Sequence, residues 1–420
     1  MAPHAAPTTI TGGSMTVIKT RRPPALDSPE LAGILAEIAA DARRRREQGD
    51  RSGPLRGLAL VREYVLGAVQ LPVAEGGGGY NTRQYFEFII RLAEADSDLP
   101  HILRMHFGGG AGSLNTAAGR LRRKQMFEGA IFSGAQAEPT TNPGTYNYDT
   151  TLVPDGENFR LNGRKFYTTG AFYADYLNIA AHDDKGQKVN CAIPARREGI
   201  NHLDDWDGIG QRETASGTIV LKNVLVYPDE VGENTRPEID DGPSRLRAQA
   251  GGSSAHLFLH AVGAGNLRAL VTETANMLRD RKRSYAWGNT PEPRHDPQLL
   301  AVIGELAATS FMVDAAILAA ADTMERSVQY ARDHGEVSQE LERATQVIVA
   351  KVKVAVESVS LAAAGHAYDA GGASWVRESA HLQRFWLNMR TLYSHNPTVY
   401  KARVIGDVIV NDGALPLTFF

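Results

Sequence analysis

Near the C-terminus the chain reads Arg390-Thr391-Leu392-Tyr393-Ser394-His395-Asn396-Pro397-Thr398. His395 is the one side chain there that titrates near neutral pH. Ser394 adds a hydroxyl beside it, and no carboxylate occurs between Glu378 and Asp407. An imidazole and a hydroxyl can donate and accept hydrogen bonds or hold a proton. Neither group is a strong base, and removing a carbon-bound proton needs a positioned general base. Two further histidines, His101 and His106, stand five residues apart. That is not the i, i+4 spacing of a two-histidine metal site, and no metal is expected.

The elements that must hold this stretch are legible on both sides of it. Val376, Leu382, Phe385, Trp386 and Met389 recur at roughly helical spacing before it, as do Tyr400, Val404, Ile405, Val408 and Ile409 after it. Pro397 favours an extended residue before it, so the helix breaks there. A polar break between two apolar helices is a place where a bundle exposes side chains to a ligand.

Composition bounds the class. The chain has 420 residues, 43% hydrophobic and 22% charged, as in an ordinary globular protein of two to three domains. A net charge of -3 argues against a nucleic-acid partner. The run Arg43–Arg46 reads as a solvated helix end. Cys191 is the single cysteine, which excludes an intrachain disulfide and fits a reducing, cytoplasmic compartment. It lies in an apolar run and reads as a buried structural thiol. No run approaches the roughly 18 apolar residues of a membrane span, so no membrane contact is expected.

In chain order, residues 1–25 read as a mobile tail. Ser28-Pro29-Glu30 is an N-cap, a proline at the first helical position and an early acid. Helices follow, broken by the glycine-rich loop Glu75–Tyr80, with further helices over 82–95 and around His101–Phe107. From about residue 130 the pattern turns to short strand-like runs, with Asp155-Gly156 and Asn162-Gly163 as turn signals. Pro228 to Pro243 reads as an acidic linker. Four long helical segments, at about 256–286, 297–332, 338–367 and 374–392, and a short one near 399–410 predict an antiparallel bundle. The expected organisation is an N-terminal helical domain over 26–128, a β-domain over 129–242 and a C-terminal four-helix bundle over 243–420. The fold class is mainly α with a central β-domain, a barrel or sandwich.

This order, with its motifs, resembles the acyl-CoA dehydrogenase superfamily. Gly67–Pro72 before the glycine run is similar to the segment ahead of the family's third helix. Ala137-Glu138-Pro139 resembles its first flavin loop. Asn162–Gly170 resembles the strand that flanks the flavin ring, with Tyr167 where the family usually has tryptophan and Thr169 keeping the hydroxyl. Gly210–Thr218 resembles the motif that closes the β-domain. Arg279-Asp280-Arg281 resembles the helical arginine that reaches the cofactor phosphate of a neighbouring subunit, and Gly371-Gly372 the glycine pair near the cofactor's tail. The resemblance assigns flavin binding to Ser133, Gln136, Tyr167, Thr169, Arg281, Gly371 and Gly372, and implies a homotetramer.

The departures decide which branch. The family places its catalytic glutamate in the break that here reads Tyr393-Ser394-His395. The alternative base position on the first bundle helix is also empty, since no carboxylate lies between Asp241 and Glu273. The chain is similar instead to the flavin-dependent monooxygenases of this superfamily. Their break carries a histidine as His395 does, a second histidine matches His101, and a hydroxyl beside flavin N5 matches Thr169. Met105 falls where those members tend to have tyrosine. The resemblance implies His395, His101, Thr169 and Ser394 as catalytic groups. It also implies reduced FMN as cofactor, with FAD possible, and a C4a-hydroperoxyflavin that oxygenates a small substrate at sulfur, nitrogen or an activated carbon. No nicotinamide-binding Gly-rich strand–turn–helix occurs, so a separate flavin reductase is expected. Two readings stay open beside this one: an acyl-CoA dehydrogenase-type oxidoreductase with an atypical base, and a non-catalytic protein that keeps the fold for binding.

Overall fold

A computed structural model describes residues 20–109, 116–140, 147–233 and 242–416. Most of the expected tail, residues 1–19, lies outside them, as does much of the expected linker, residues 234–241. Packing begins at Pro23 and Pro24, which are buried. There Tyr80 Oη donates to Pro24 O at 2.8 Å.

The N-terminal helices are α1 (Pro29–Gln48), α2 (Leu55–Glu63), α3 (Thr82–Ala95), α4 (Asp98–Ile102), α5 (Arg104–Gly109) and α6 (Ala117–Phe127). Ser28 caps α1 by accepting from Leu31 N, and Gly49 ends it in the left-handed conformation at φ 64°. A reciprocal Asn81/Gln84 capping box starts α3. Tyr85, Phe86, Phe88, Ile89, Ile90, Leu92 and Ala93 are all buried, so α3 is covered on nearly every side. Each such large apolar side chain contributes on the order of 1.5–3 kcal/mol by leaving water. The helix of two histidines is in fact two short helices broken at Leu103.

The β-elements are β1 (Phe132–Ala135), β2 (Thr151–Asp155), β3 (Asn158–Lys165), β4 (Tyr176–Asp183), β5 (Lys188–Pro194), β6 (Ile200–His202), β7 (Ile219–Val226) and β8 (Val231–Glu233). They form one mixed sheet in the order β6-β7-β3-β2-β4-β5-β8, with β1 parallel to β4. Asp155-Gly156 is the β2–β3 hairpin turn. Asn162-Gly163 is not a turn: β3 runs through it, with a bulge opposite β7. Gly163 is needed there because a Cβ would lie 2.3 Å from Thr150 Oγ1. The sequence signal for a turn and the signal for a bulge are the same dipeptide. The start of the composition-defined linker is β8, since Val231 pairs with Cys191 of β5.

The C-terminal helices are α7 (Gly242–Asp280), α8 (Pro297–His334), α9 (Gln339–His366), α10 (Gln383–Tyr393) and α11 (Thr398–Asn411). Helices α7, α8, α9 and α10 pack as a bundle, with α3 against α7. Gly265 permits that approach, because a Cβ there would sit 2.2 Å from Ile90 O. Contrary to the run-by-run reading, α8 is long and apolar enough in composition to cross a membrane. It packs here against α7 and α9, with Leu300, Phe311 and Met312 exposed. Cys191 is buried and free, its thiol pushed up to about 12 by burial.

The basic run also departs from the expectation. Arg45 is buried, donating to Asp96 at 2.6 Å and Asp41 at 2.9 Å and pairing with Glu213. It thereby ties α1 to the start of α4 and to the loop between β6 and β7.

Candidate active site

His395 sits in the turn between α10 and α11. The turn is fixed from below: Tyr393 is fully buried, and Lys353 Nζ donates to its carbonyl at 2.8 Å. Gly263 makes room for the ring, since a Cβ there would lie 2.2 Å from Tyr393 Oη. Glu357 of α9 holds both flanks, pairing with Arg390 at 3.0 Å and accepting from Thr398. His395 keeps accessible surface, with Arg104, His256, His101 and Lys353 as the charged or titratable groups around it. Desolvation, then the Arg104 charge, hold its pKa well below the usual histidine value, so it is neutral.

Arg104 Nη1 donates to His395 Nε2 at 3.1 Å. A guanidinium has only donors, so Nε2 is the acceptor and the proton sits on Nδ1. His395 therefore offers one N–H. The His256 ring stands 6.0 Å from it, edge-on, and its Nε2 meets Asn396 Nδ2 at 3.1 Å.

His101 lies on α4, brought in by Gln211: Nδ1 donates to Gln211 Oε1 at 2.9 Å. Burial, with Arg104 nearby, lowers its pKa to about 4, so it too is neutral with Nε2 unprotonated. Gln211 is itself locked. Its backbone N donates to Asn388 Oδ1 at 2.8 Å, and its Nε2 to Ser97 Oγ at 3.2 Å. The loop approaches α10 closely enough that a Cβ on Gly210 would lie 2.2 Å from Leu387 O.

Thr169 belongs to the segment after β3. Gly170 lets that segment touch α4, where a Cβ would meet Ile102 O at 2.1 Å. Ser133 of β1 is buried and donates to Thr169 O at 2.8 Å. Three hydroxyls then run in series. Thr169 Oγ1 meets Ser216 Oγ at 2.8 Å, Ser216 Oγ meets Thr214 Oγ1 at 2.7 Å, and Thr214 Oγ1 donates to Gln211 O at 2.7 Å. Each hydroxyl has one proton. Thr214 gives its proton to a carbonyl, so Ser216 donates to Thr214 and Thr169 donates to Ser216. Thr169 Oγ1 is left as an acceptor toward anything else.

The other expected residues are placed as follows. Tyr167 has an exposed ring and a positive φ of 53°, edge-on to Trp206. Gln136 Nε2 donates to Asn178 O at 2.9 Å, so its amide nitrogen is engaged with β4. Ser394 Oγ donates back to Arg390 O at 2.8 Å and accepts from Arg390 Nε at 3.1 Å, which makes it part of the helix end. Arg281 and the glycine pair form a separate cluster, where Arg281 Nη1 donates to Ala370 O at 2.7 Å. His260 of α7 lies against Tyr393, ring centroids 5.8 Å apart, and Arg281 follows α7, 21 residues beyond it at about 1.5 Å each. That is on the order of 30 Å from the His395 turn.

Arg104, Asn388, Ser97 and the hydroxyls Thr214 and Ser216 were not singled out from sequence. Only the last two lie in a recognised motif. A cavity of about 1530 Å³ is lined by none of the expected site residues. It lies between α1, α3, α7, α10 and the β6–β7 loop, and adjoins the site through Ser97 and Asn388.

A reduced flavin fits the donor set. Its N5 carries a hydrogen, and Thr169 presents an acceptor with its own proton directed away.

The acyl-CoA dehydrogenase middle-domain model matches residues 133–224 and the C-terminal-domain model residues 257–399. The chain belongs to the acyl-CoA dehydrogenase superfamily. It is 27% identical over 363 residues to dibenzothiophene monooxygenase of Mycolicibacterium goodii, covering 84% of this chain and 86% of that one. It is 26% identical to a Pseudomonas putida protein described as a probable FMNH2-dependent monooxygenase, covering 93% and 95%. The FMN-bound crystal structure of TdsC from Paenibacillus sp. A11-2 superposes with a TM-score of 0.81 at 24% identity, covering 93% and 99%.

Proposed function

We propose that this chain is the oxygenase component of a two-component monooxygenase. It takes reduced FMN from a separate reductase and places one atom of O2 on a small organic substrate at sulfur, nitrogen or an activated carbon. Bound reduced flavin supplies the electrons that activate O2, the second oxygen atom leaving as water. What carries this is a Thr169 hydroxyl whose proton is directed away, linked through Ser216, Thr214 and Gln211 to His101, together with a neutral His395 that has one N–H to offer and no free carboxylate beside it among the described residues. Bound reduced flavin would find in Thr169 an acceptor for its N5 hydrogen, and beside it His395 would offer its Nδ1–H as donor and His101 its Nε2 as acceptor. The low dielectric of the surrounded cleft strengthens each of these bonds.

Among the described residues, a dehydrogenase reading lacks a free carboxylate base at the break. Glu357, the carboxylate at the break, is taken up by Arg390 at 3.0 Å, Lys353 at 3.5 Å and Thr398. The distance of Arg281 from the turn supports a phosphate contact made by a neighbouring subunit. The exposed apolar residues of α8 and α11, among them Phe311, Val399 and Val410, support a homotetramer. The function is tested with chemically reduced FMN and isotopic oxygen over a panel of organosulfur and amine substrates. Label from 18O2 in a product supports the reading. Label from 18O-water, or substrate desaturation instead, removes it.

A further inference from the structure

Arg104 sits half-buried on α5 with its guanidinium against His395. Among the described residues it forms no ion pair with a carboxylate. The groups that face it are uncharged or cationic: Tyr85 from α3, His101 from α4 and His395 from the α10–α11 turn. Lys353 of α9 adds a second cation to the surroundings of His395. Burial draws the Arg104 pKa down to about 10, which leaves it fully charged at neutral pH. An uncompensated charge in such surroundings is costly to the fold, and a hydrophobic side chain would fill the same place at lower cost. Met105, its neighbour, is partly exposed and lies against Gly134 of β1, so the same wall offers apolar surface.

We propose that Arg104 is the anion-recognition residue of the substrate cleft, and that the substrate is a small organic acid whose carboxylate, sulfinate or sulfonate pairs with its guanidinium. This rests on reading the cleft as the substrate side of a flavin site. One N–H of the fork holds His395, and among the described residues the fork has no carboxylate partner, so its other donors suit a bidentate contact with two oxygens. The same contact links recognition to chemistry, since an anion drawn to Arg104 lies beside the His395 imidazole. An uncharged analogue leaves the guanidinium unpaired and is rejected on that account.

The test is calorimetric titration of the purified protein, with and without oxidised FMN, using benzenesulfinate and the uncharged methyl phenyl sulfone. The parent is expected to bind the sulfinate about tenfold or more tightly than the sulfone. Arg104→Met should abolish that preference while the sulfone affinity stays put, and Arg104→Lys should retain part of it. Because it removes an uncompensated cation, Arg104→Met should also melt at or above the parent temperature, which a merely structural arginine would not allow. Equal affinity of the parent for the two probes overturns the proposal, as does sulfinate preference surviving in Arg104→Met. So does a variant that loses FMN affinity alone, which would assign the charge to the cofactor. The flavin-free arm keeps the result separate from the flavin reading: failure to bind FMN at all would remove that reading whatever the anion data show.

Discussion

Arg104 Nη1 lies 3.1 Å from His395 Nε2, joining α5 to a turn 291 residues further along the chain. The contact sets the tautomer of the imidazole, and with it the one hydrogen His395 can offer. Burial and the positive neighbour keep the ring neutral.

His395→Ala is therefore expected to fold and to bind reduced FMN, since the ring is not part of the core. Loss of one catalytic donor of this kind costs on the order of 2.7–4 kcal/mol. Hydrogen peroxide release should rise and product per flavin oxidised should fall sharply. Coupling equal to the parent's would make His395 a bystander.

Thr169 should tolerate serine and not valine. Thr169→Ser keeps the acceptor, whereas Thr169→Val removes it at similar volume. Ser216→Ala should give an intermediate loss, because Thr169 then turns its proton inward instead of presenting a lone pair. The readout is the product-to-peroxide ratio at saturating flavin. A Thr169→Val variant as well coupled as the parent would dismiss the hydroxyl series.

Glu342 gives a pH signature separate from catalysis. It is buried at the meeting of α7, α8 and α9, where Ser253 Oγ donates to it at 3.1 Å, with Ser327 and Gln346 also bonded. Desolvation raises its pKa to about 7. A raised folded-state pKa contributes stability that is present below the unfolded value near 4.5 and is lost as pH rises through 7. Glu342→Gln should thus be near parent stability at pH 5 and more stable at pH 8, by up to about 3 kcal/mol. Thermal melts across that range check it, and an advantage that does not grow with pH refutes it.

Arg281→Ala is expected to weaken reduced-FMN binding by about tenfold or more, as loss of a charge-assisted phosphate contact would. Mixed with a cleft-defective Thr169→Val protein, it should recover part of the activity if the phosphate contact crosses between subunits. Unchanged flavin affinity sinks the assignment.

The fold was legible because helix periodicity, caps and turn dipeptides are local. The α3 boundaries at Thr82 and Ala95 follow from a capping box and an apolar stripe that need no knowledge of the rest of the chain. His395 could be found because a polar break in an apolar pattern is conspicuous. Arg104 could not. Its importance lies in facing a turn 291 residues away with no carboxylate in reach among the described residues, and neither fact has a sequence signal. Arg45 misled for the same reason: within Arg43–Arg46 it looks solvated, and only the fold brings Asp96 and Glu213 to it. Asn162-Gly163 misled because the dipeptide serves a bulge as readily as a hairpin.

The most direct measurement is stopped-flow absorbance after mixing anaerobic protein and reduced FMN with O2-saturated buffer. A transient species, distinct from reduced and oxidised flavin, is expected to form in the parent and to persist longer than in His395→Ala or Thr169→Val. Direct conversion of reduced to oxidised flavin, with no transient and no difference among the three proteins, would contradict the assignment of this cleft to oxygen chemistry.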